Sequence, residues 1–160
     1  MEGKKTNLLD FLQQDGEIGK VRDKVLATGE AVVYGLYEGQ RMVVTAALAQ
    51  QQAGNLLVIC DTQKRAKELW EDLVQLLPDY ETLYFPALEM IPYEVIAQSG
   101  ELEQKRLEVL SHLLLERDRK FAVVTTIEGL SKKLLPVGDF RQGLLQLAVG
   151  QQLEQNQLKA

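Results

Sequence analysis

"AVVYGLYEGQRMVVTAALAQQQAGNLLVICD", residues 31–61, is the stretch on which the fold turns. "AVVYG" reads as a buried strand, "RMVVTAALAQQQAG" as a helix ending near Gly54, and "NLLVICD" as a second strand. Strand, helix and strand in one short run form a crossover unit, and such crossovers are right-handed and make their strands parallel. The β-branched Val43, Val44 and Thr45 make the first turn of this helix a weak helix former.

Upstream, "NLLDFLQQ" and "IGKVRDKVLATG" carry apolar residues at helical spacing, divided at Asp15-Gly16 and closed by Gly29. Downstream, a helix beginning near Thr62, "QKRAKELWEDLVQLLP", sets Ala66, Leu69, Trp70, Leu73, Leu76 and Leu77 on one apolar face and stops at Pro78. Trp70 is therefore expected in the core. "ETLYF" is a third strand, followed by the long loop "PALEMIPYEVIAQSG", whose two prolines oppose regular structure. From Glu101 to about Glu116 an amphipathic helix turns Leu102, Leu107, Val109, Leu110, Leu113 and Leu114 mostly inward. "FAVVTT" is a fourth strand. Thr125 and Glu128 then have the T-x-x-E spacing of a capping box opening "IEGLSKKLL", which Pro136 closes.

Short strands alternating with helices imply a doubly wound α/β layout, a mostly parallel sheet with helices on both faces. After "PVGDF" the pattern changes. "GLLQLAVGQQLEQNQLKA" offers a strand over Leu144 to Val149, a turn, and the first turns of a helix left unclosed. A boundary near Gly138 to Gln142 follows. The expected division is N-terminal helices over 1–30, the α/β domain over 31–138, and over 139–160 the start of a second small α+β domain, so the chain reads as a fragment.

With 160 residues and 46% hydrophobic content, the chain can bury the core of one ordinary domain. No apolar run reaches the roughly 20 residues needed to cross a bilayer and no signal peptide is visible, so a cytoplasmic protein without a membrane partner is expected. The single Cys60 excludes an internal disulfide and a cysteine-rich zinc site. Paired with His112 it could make a nucleophile and base, but it ends the apolar run "NLLVIC", where a thiol is usually a small buried hydrophobe. His112 has no second histidine with which to share a metal and is expected to be a solvated helix residue; no metal site is expected. A net charge of -5 opposes strong nonspecific DNA binding. Lys64/Arg65/Lys67, Arg117/Arg119/Lys120 and Lys132/Lys133 read as solvation and helix-dipole matching.

The loop inside the opening stretch has the outline of the phosphate-binding pattern G-x-x-x-x-G-K-[ST]. Laid on Gly35 to Met42, the pattern finds its first glycine, then Gln40 for the second glycine, Arg41 for the lysine and Met42 for the hydroxyl residue. A planar guanidinium replaces a compact ammonium poorly, and a thioether offers magnesium no oxygen. Gly35 and Gly39 could equally make a plain strand-to-helix turn. No catalytic residue and no cofactor are expected for this chain. The rival reading is a divergent NTPase binding ATP through Gly35–Met42, with Arg41 for the lysine and Glu38 or Asp61 helping to hold magnesium. A dinucleotide site lacks its G-x-G-x-x-G.

"YGLYEGQRMVVTAALAQQQAGNLLVICDTQKRAKELWEDLVQLLP", "LYFPALEMIPYEVIAQSGELEQKRLEVLSHLL" and "VVTTIEGLSKKLLP", in that order, resemble the N-terminal region of bacterial transcription-repair coupling factors. The similarity runs from about Val32 to the end, and "FPALEMIPYE" followed by "KRLEVL" is its most specific part. The resemblance implies a helicase-like module similar to the first domains of the excinuclease component UvrB, with a degenerate phosphate loop. It also implies an inserted small domain that recruits the excinuclease component UvrA, of which roughly Phe140 to Ala160 would be the beginning. By the same resemblance, ATP and magnesium serve the motor domains of the longer protein, which act on DNA and on stalled RNA polymerase during nucleotide-excision repair, and the module restrains that motor.

Overall fold

The computed structural model describes residues 16–52, 54–88, 95–116, 118–145 and 149–150. Among the described residues three strands, β1 (Leu56–Cys60), β2 (Glu81–Tyr84) and β3 (Phe121–Thr126), form one parallel sheet in the order β1-β3-β2. Leu56 to Cys60 lie opposite Ala122 to Thr126, and Glu81 to Tyr84 opposite Phe121 to Val124. The helices are α1 (Gly16–Thr28), α2 (Glu38–Gln50), α3 (Gln63–Leu76), α4 (Val95–Leu115), α5 (Ile127–Ser131) and α6 (Val137–Gln142).

Alternation along the strands sorts the side chains onto two faces. Leu56, Val58, Cys60, Ala122 and Val124 share one face with Ala46, Ala47 and Ala49 of α2 and with Ala66, Leu69, Trp70 and Leu73 of α3. This is the core. Alanines on α2 let its backbone come close to α3, while Leu73 and Leu77 fill the space beneath and are fully buried. Trp70 takes its expected place, its Nε1–H donating to Thr82 O at 3.0 Å and its ring 6.0 Å from that of Tyr84. Tyr80 closes the far end through a hydroxyl that donates to Ala49 O at 2.7 Å.

The opposite face receives α4. Leu57, Phe121 and Val123 look across an apolar cleft of about 290 Å³ toward Val109, Leu110 and Leu113. Helices thus lie on both faces, as a doubly wound layout requires. Leu57 and Ile59 stay about half exposed, so this face is covered only in part.

Several expectations are corrected. "AVVYG" forms no strand: residues 30–34 take no place in the sheet, and Val32 and Tyr34 are 67% and 86% exposed. An apolar β-branched run favours extended backbone, but a strand exists only where a neighbour completes its hydrogen-bond ladder. Helix α2 begins at Glu38, three residues before Arg41, and α4 begins at Val95 inside the stretch read as loop. The cap of α5 is Thr126, whose Oγ1 accepts Gly129 N–H at 3.2 Å, whereas Thr125 Oγ1 donates to Phe85 O at 2.8 Å. That helix ends at Ser131, well short of Leu135.

Leu144 and Leu145 are irregular and Val149 lies in a turn, so the strand expected over Leu144 to Val149 is absent from the described part of that stretch. The helix read in "NLLDFLQQ", the start of one after Gly150, and residues 89–94 of the stretch read as a loop lie outside the described residues. Gly29 ends α1 as expected, with φ +79° and its N–H bonded to Val25 O at 2.8 Å.

Candidate functional site

The carboxyl end of a parallel sheet is where α/β proteins usually take ligands, because the loops there splay apart. Here a groove of about 850 Å³ opens at that end, between the 33–41 segment, Cys60 and Asp61 at the end of β1, and one side of α3. Gly39 and Arg41 line it; Gly35, Gln40 and Met42 are not among its lining residues.

The segment's geometry follows from three residues. Gly35 has φ +80°, a conformation that glycine adopts freely and that turns the chain toward α2. Gln40 reaches back and accepts the Tyr37 N–H at 3.0 Å, the carboxamide half of a capping box. Arg41 donates from its backbone to Tyr37 O at 3.0 Å, the opening helical bond, and from Nε to Leu36 O at 3.2 Å. Gly39, Gln40, Arg41 and Met42 thus lie in the first turns of α2, and the Arg41 side chain is tied to its own loop.

The other wall is acidic. Asp61, Glu68, Glu71 and Asp72 contribute four carboxylates to the groove against the guanidinium groups of Arg41 and Arg65. Arg65 Nη1 is already bound to Asp61 Oδ2 at 2.5 Å, and Lys64 lies 3.8 Å from Glu68 in an exposed pair worth little. An excess of negative charge repels a polyphosphate, whose oxygens need cationic or N–H partners. Glu38 opens α2, and Asp61, the other magnesium candidate of the NTPase reading, is the partner of Arg65.

Cys60 points to the core side, partly buried. Burial first, and then the neighbouring Asp61, raise its thiol above the ordinary value against a smaller lowering by Arg65, which disfavours the nucleophilic thiolate.

Two residues whose partners were not anticipated from the sequence stand on the other face. Arg106 is buried, with its guanidinium 3.9 Å from the centre of the Phe85 ring and Nη1 donating to Pro86 O at 2.7 Å and Gly129 O at 2.9 Å. It binds the turn after β2 to α5, and desolvation lowers its pKa. Its signal was present: Leu102, Arg106, Val109 and Leu113 share one helical stripe, and Leu107, expected inward, is 52% exposed. His112, expected to be a solvated helix residue, is only partly exposed, at 35% of its side chain, and it pairs across the fold with Glu81. Nothing local announces that partner, 31 residues away.

The transcription-repair-coupling factor of Bacillus subtilis (strain 168) is 30% identical to this chain over 129 residues, 81% of the chain and 11% of that protein. That of Staphylococcus aureus (strain USA300) is 24% identical over 152 residues, 95% of the chain and 13% of that protein. That of Staphylococcus epidermidis is 21% identical over 150 residues, 94% of the chain. The chain spans 11–13% of the length of these relatives. No family profile and no solved structure matches it. Through most of its length, the chain is homologous to one segment of the transcription-repair-coupling factors, in keeping with the resemblance borne by its sequence.

Proposed function

We propose that this chain is a non-catalytic docking module of a transcription-repair-coupling factor, with a helicase-like ancestry and no phosphate chemistry of its own. In nucleotide-excision repair it recruits the excinuclease component UvrA, chiefly through the small domain that starts near residue 139, and it restrains the ATP-driven translocase of the longer protein. RNA polymerase and DNA are met by other parts of that protein, which also hold the ATP and magnesium. The observation that carries the reading is the groove beside α2, with a guanidinium bound to its own loop and a wall richer in carboxylates than in cations; in the sequence, Met42 stands where the phosphate-binding pattern needs a hydroxyl. Binding to a protein surface remains available to such a scaffold when phosphate transfer does not.

The test has two halves. UvrA is titrated against the complete parent protein and against the same protein lacking this segment; saturable binding is expected only of the first, and equal binding overturns the docking role. The 160-residue chain is then incubated with Mg-ATP, where no turnover is expected. Hydrolysis that disappears in Arg41→Ala would establish the divergent NTPase instead.

A further inference from the structure

We infer that Glu81, His112 and Glu116 form a binding site for a divalent cation of the zinc class, placed where the C-terminal end of α4 meets the start of β2. His112 and Glu116 are one helical turn apart, and Glu81 opens the neighbouring strand. Their ligand atoms converge. His112 Nδ1 contacts Glu81 Oε1 and lies 3.7 Å from Glu116 Oε1, and one donor atom from each residue falls within 4.8 Å of the others. A tetrahedral zinc ion with bonds of about 2.0–2.2 Å holds its ligands about 3.3 Å apart, so small side-chain rotations complete the set.

The remaining carboxylate oxygens face away, toward Arg119. Glu81 Oε2 accepts from Arg119 Nη1 at 3.2 Å. Glu116 Oε2 lies 2.9 Å from Arg119 Nε, yet it is buried and off the line that a hydrogen bond requires. Arg119 therefore holds the backs of both carboxylates and leaves their Oε1 atoms facing the imidazole. With a neutral imidazole, two carboxylates against one guanidinium leave a net negative charge, and the Glu81 side chain is only 17% exposed. A divalent ion supplies the missing charge. One nitrogen and two carboxylate oxygens fit zinc or cobalt better than magnesium or calcium, which take oxygen alone. The cluster is partly open, which leaves a fourth position for water. The ion would pin α4 to the sheet, on a different part of the fold from the acidic groove, and the inference does not depend on the docking role.

The competing occupant is a proton on His112, which would make the group an ion-pair network only. The 160-residue chain, free of any affinity tag, is titrated with Zn²⁺ by calorimetry and with Co²⁺ by visible absorption, and its thermal midpoint is followed with and without Zn²⁺. One site per chain and a raised midpoint are expected. His112→Ala and, separately, Glu116→Gln should abolish both in protein that circular dichroism shows to be folded. Arg119→Gln should weaken binding about tenfold or more while keeping the site, and Cys60→Ser should leave it unchanged. Absence of saturable binding to the folded chain, or binding that survives His112→Ala, overturns the site and leaves the ion-pair network.

Discussion

Two apolar runs in this chain lead into helices, and they finish differently. The first, "NLLVIC", is laddered to β3 over five residues, and Thr62 then caps α3 by accepting the Arg65 N–H at 3.4 Å. The second, "AVVYG", has no ladder and is largely exposed, and its helix is capped by Gln40 reaching back from the helix itself. The difference shows that a strand is made by its neighbour: local preference was similar in the two runs, and only one of them met a partner. It also shows why the groove between them is an open surface. One wall is a braced strand end, and the other is a short loop tied to its own arginine.

The comparison can be broken most directly in the core. Leu73→Ala should cost about 2–5 kcal/mol in chemical denaturation, since Leu73 is fully buried under β1 and β3. Val32→Ala should cost no more than about 0.5 kcal/mol. Equal losses would mean that the "AVVYG" run is a packed strand after all.

A smaller effect is expected where β3 enters α5. A Cβ added at Gly129 would collide with Thr125 Oγ1 and come within 3.3 Å of Phe85 O, so Gly129→Ala should cost about 1–3 kcal/mol. Arg106→Leu, which strips Pro86 O and Gly129 O of their donor, should cost a similar about 1–3 kcal/mol. If either is neutral by thermal unfolding, this third junction is looser than its contacts imply.

The helix starts separate the first two junctions more finely. Thr62→Ala should destabilise the chain by about 1 kcal/mol, and Arg41→Ala by less than about 0.5 kcal/mol, because its guanidinium is on the surface. Smallest of all is a chemical readout. Alkylation of Cys60 should be slower than that of a free thiol near neutral pH and should rise only above the ordinary thiol range, because burial raises its pKa and keeps the thiolate scarce. Rapid alkylation at neutral pH would place Cys60 in solvent.

Much of the fold was legible because it is local. Periodicity located β1, β2, β3 and α3, with Thr62 and Pro78 marking the ends of the helix, and Gly29 marked the end of α1. What was not legible depends on distant partners. The T-x-x-E spacing named Thr125, but that hydroxyl is drawn to Phe85 O across the sheet, and Thr126 inherits the cap. The stripe Leu102, Arg106, Val109 and Leu113 could have revealed a buried arginine, though not the two carbonyls that accept from it. Of the candidate site, the altered chemistry at Gln40, Arg41 and Met42 could be read directly from residue type. The acidic wall from α3 could not, because a helix periodicity does not say which charged flank will face the groove.

The central claim is that the Gly35–Met42 junction does not hold a triphosphate. The most direct measurement is a titration of the isotope-labelled chain with Mg-ATP, followed by the backbone amide resonances of residues 35–42. No saturable movement of these amides is expected, with the same flat response in Arg41→Ala. Saturable shifts centred on Gly35 to Met42, lost when Arg41 is removed, would contradict the claim.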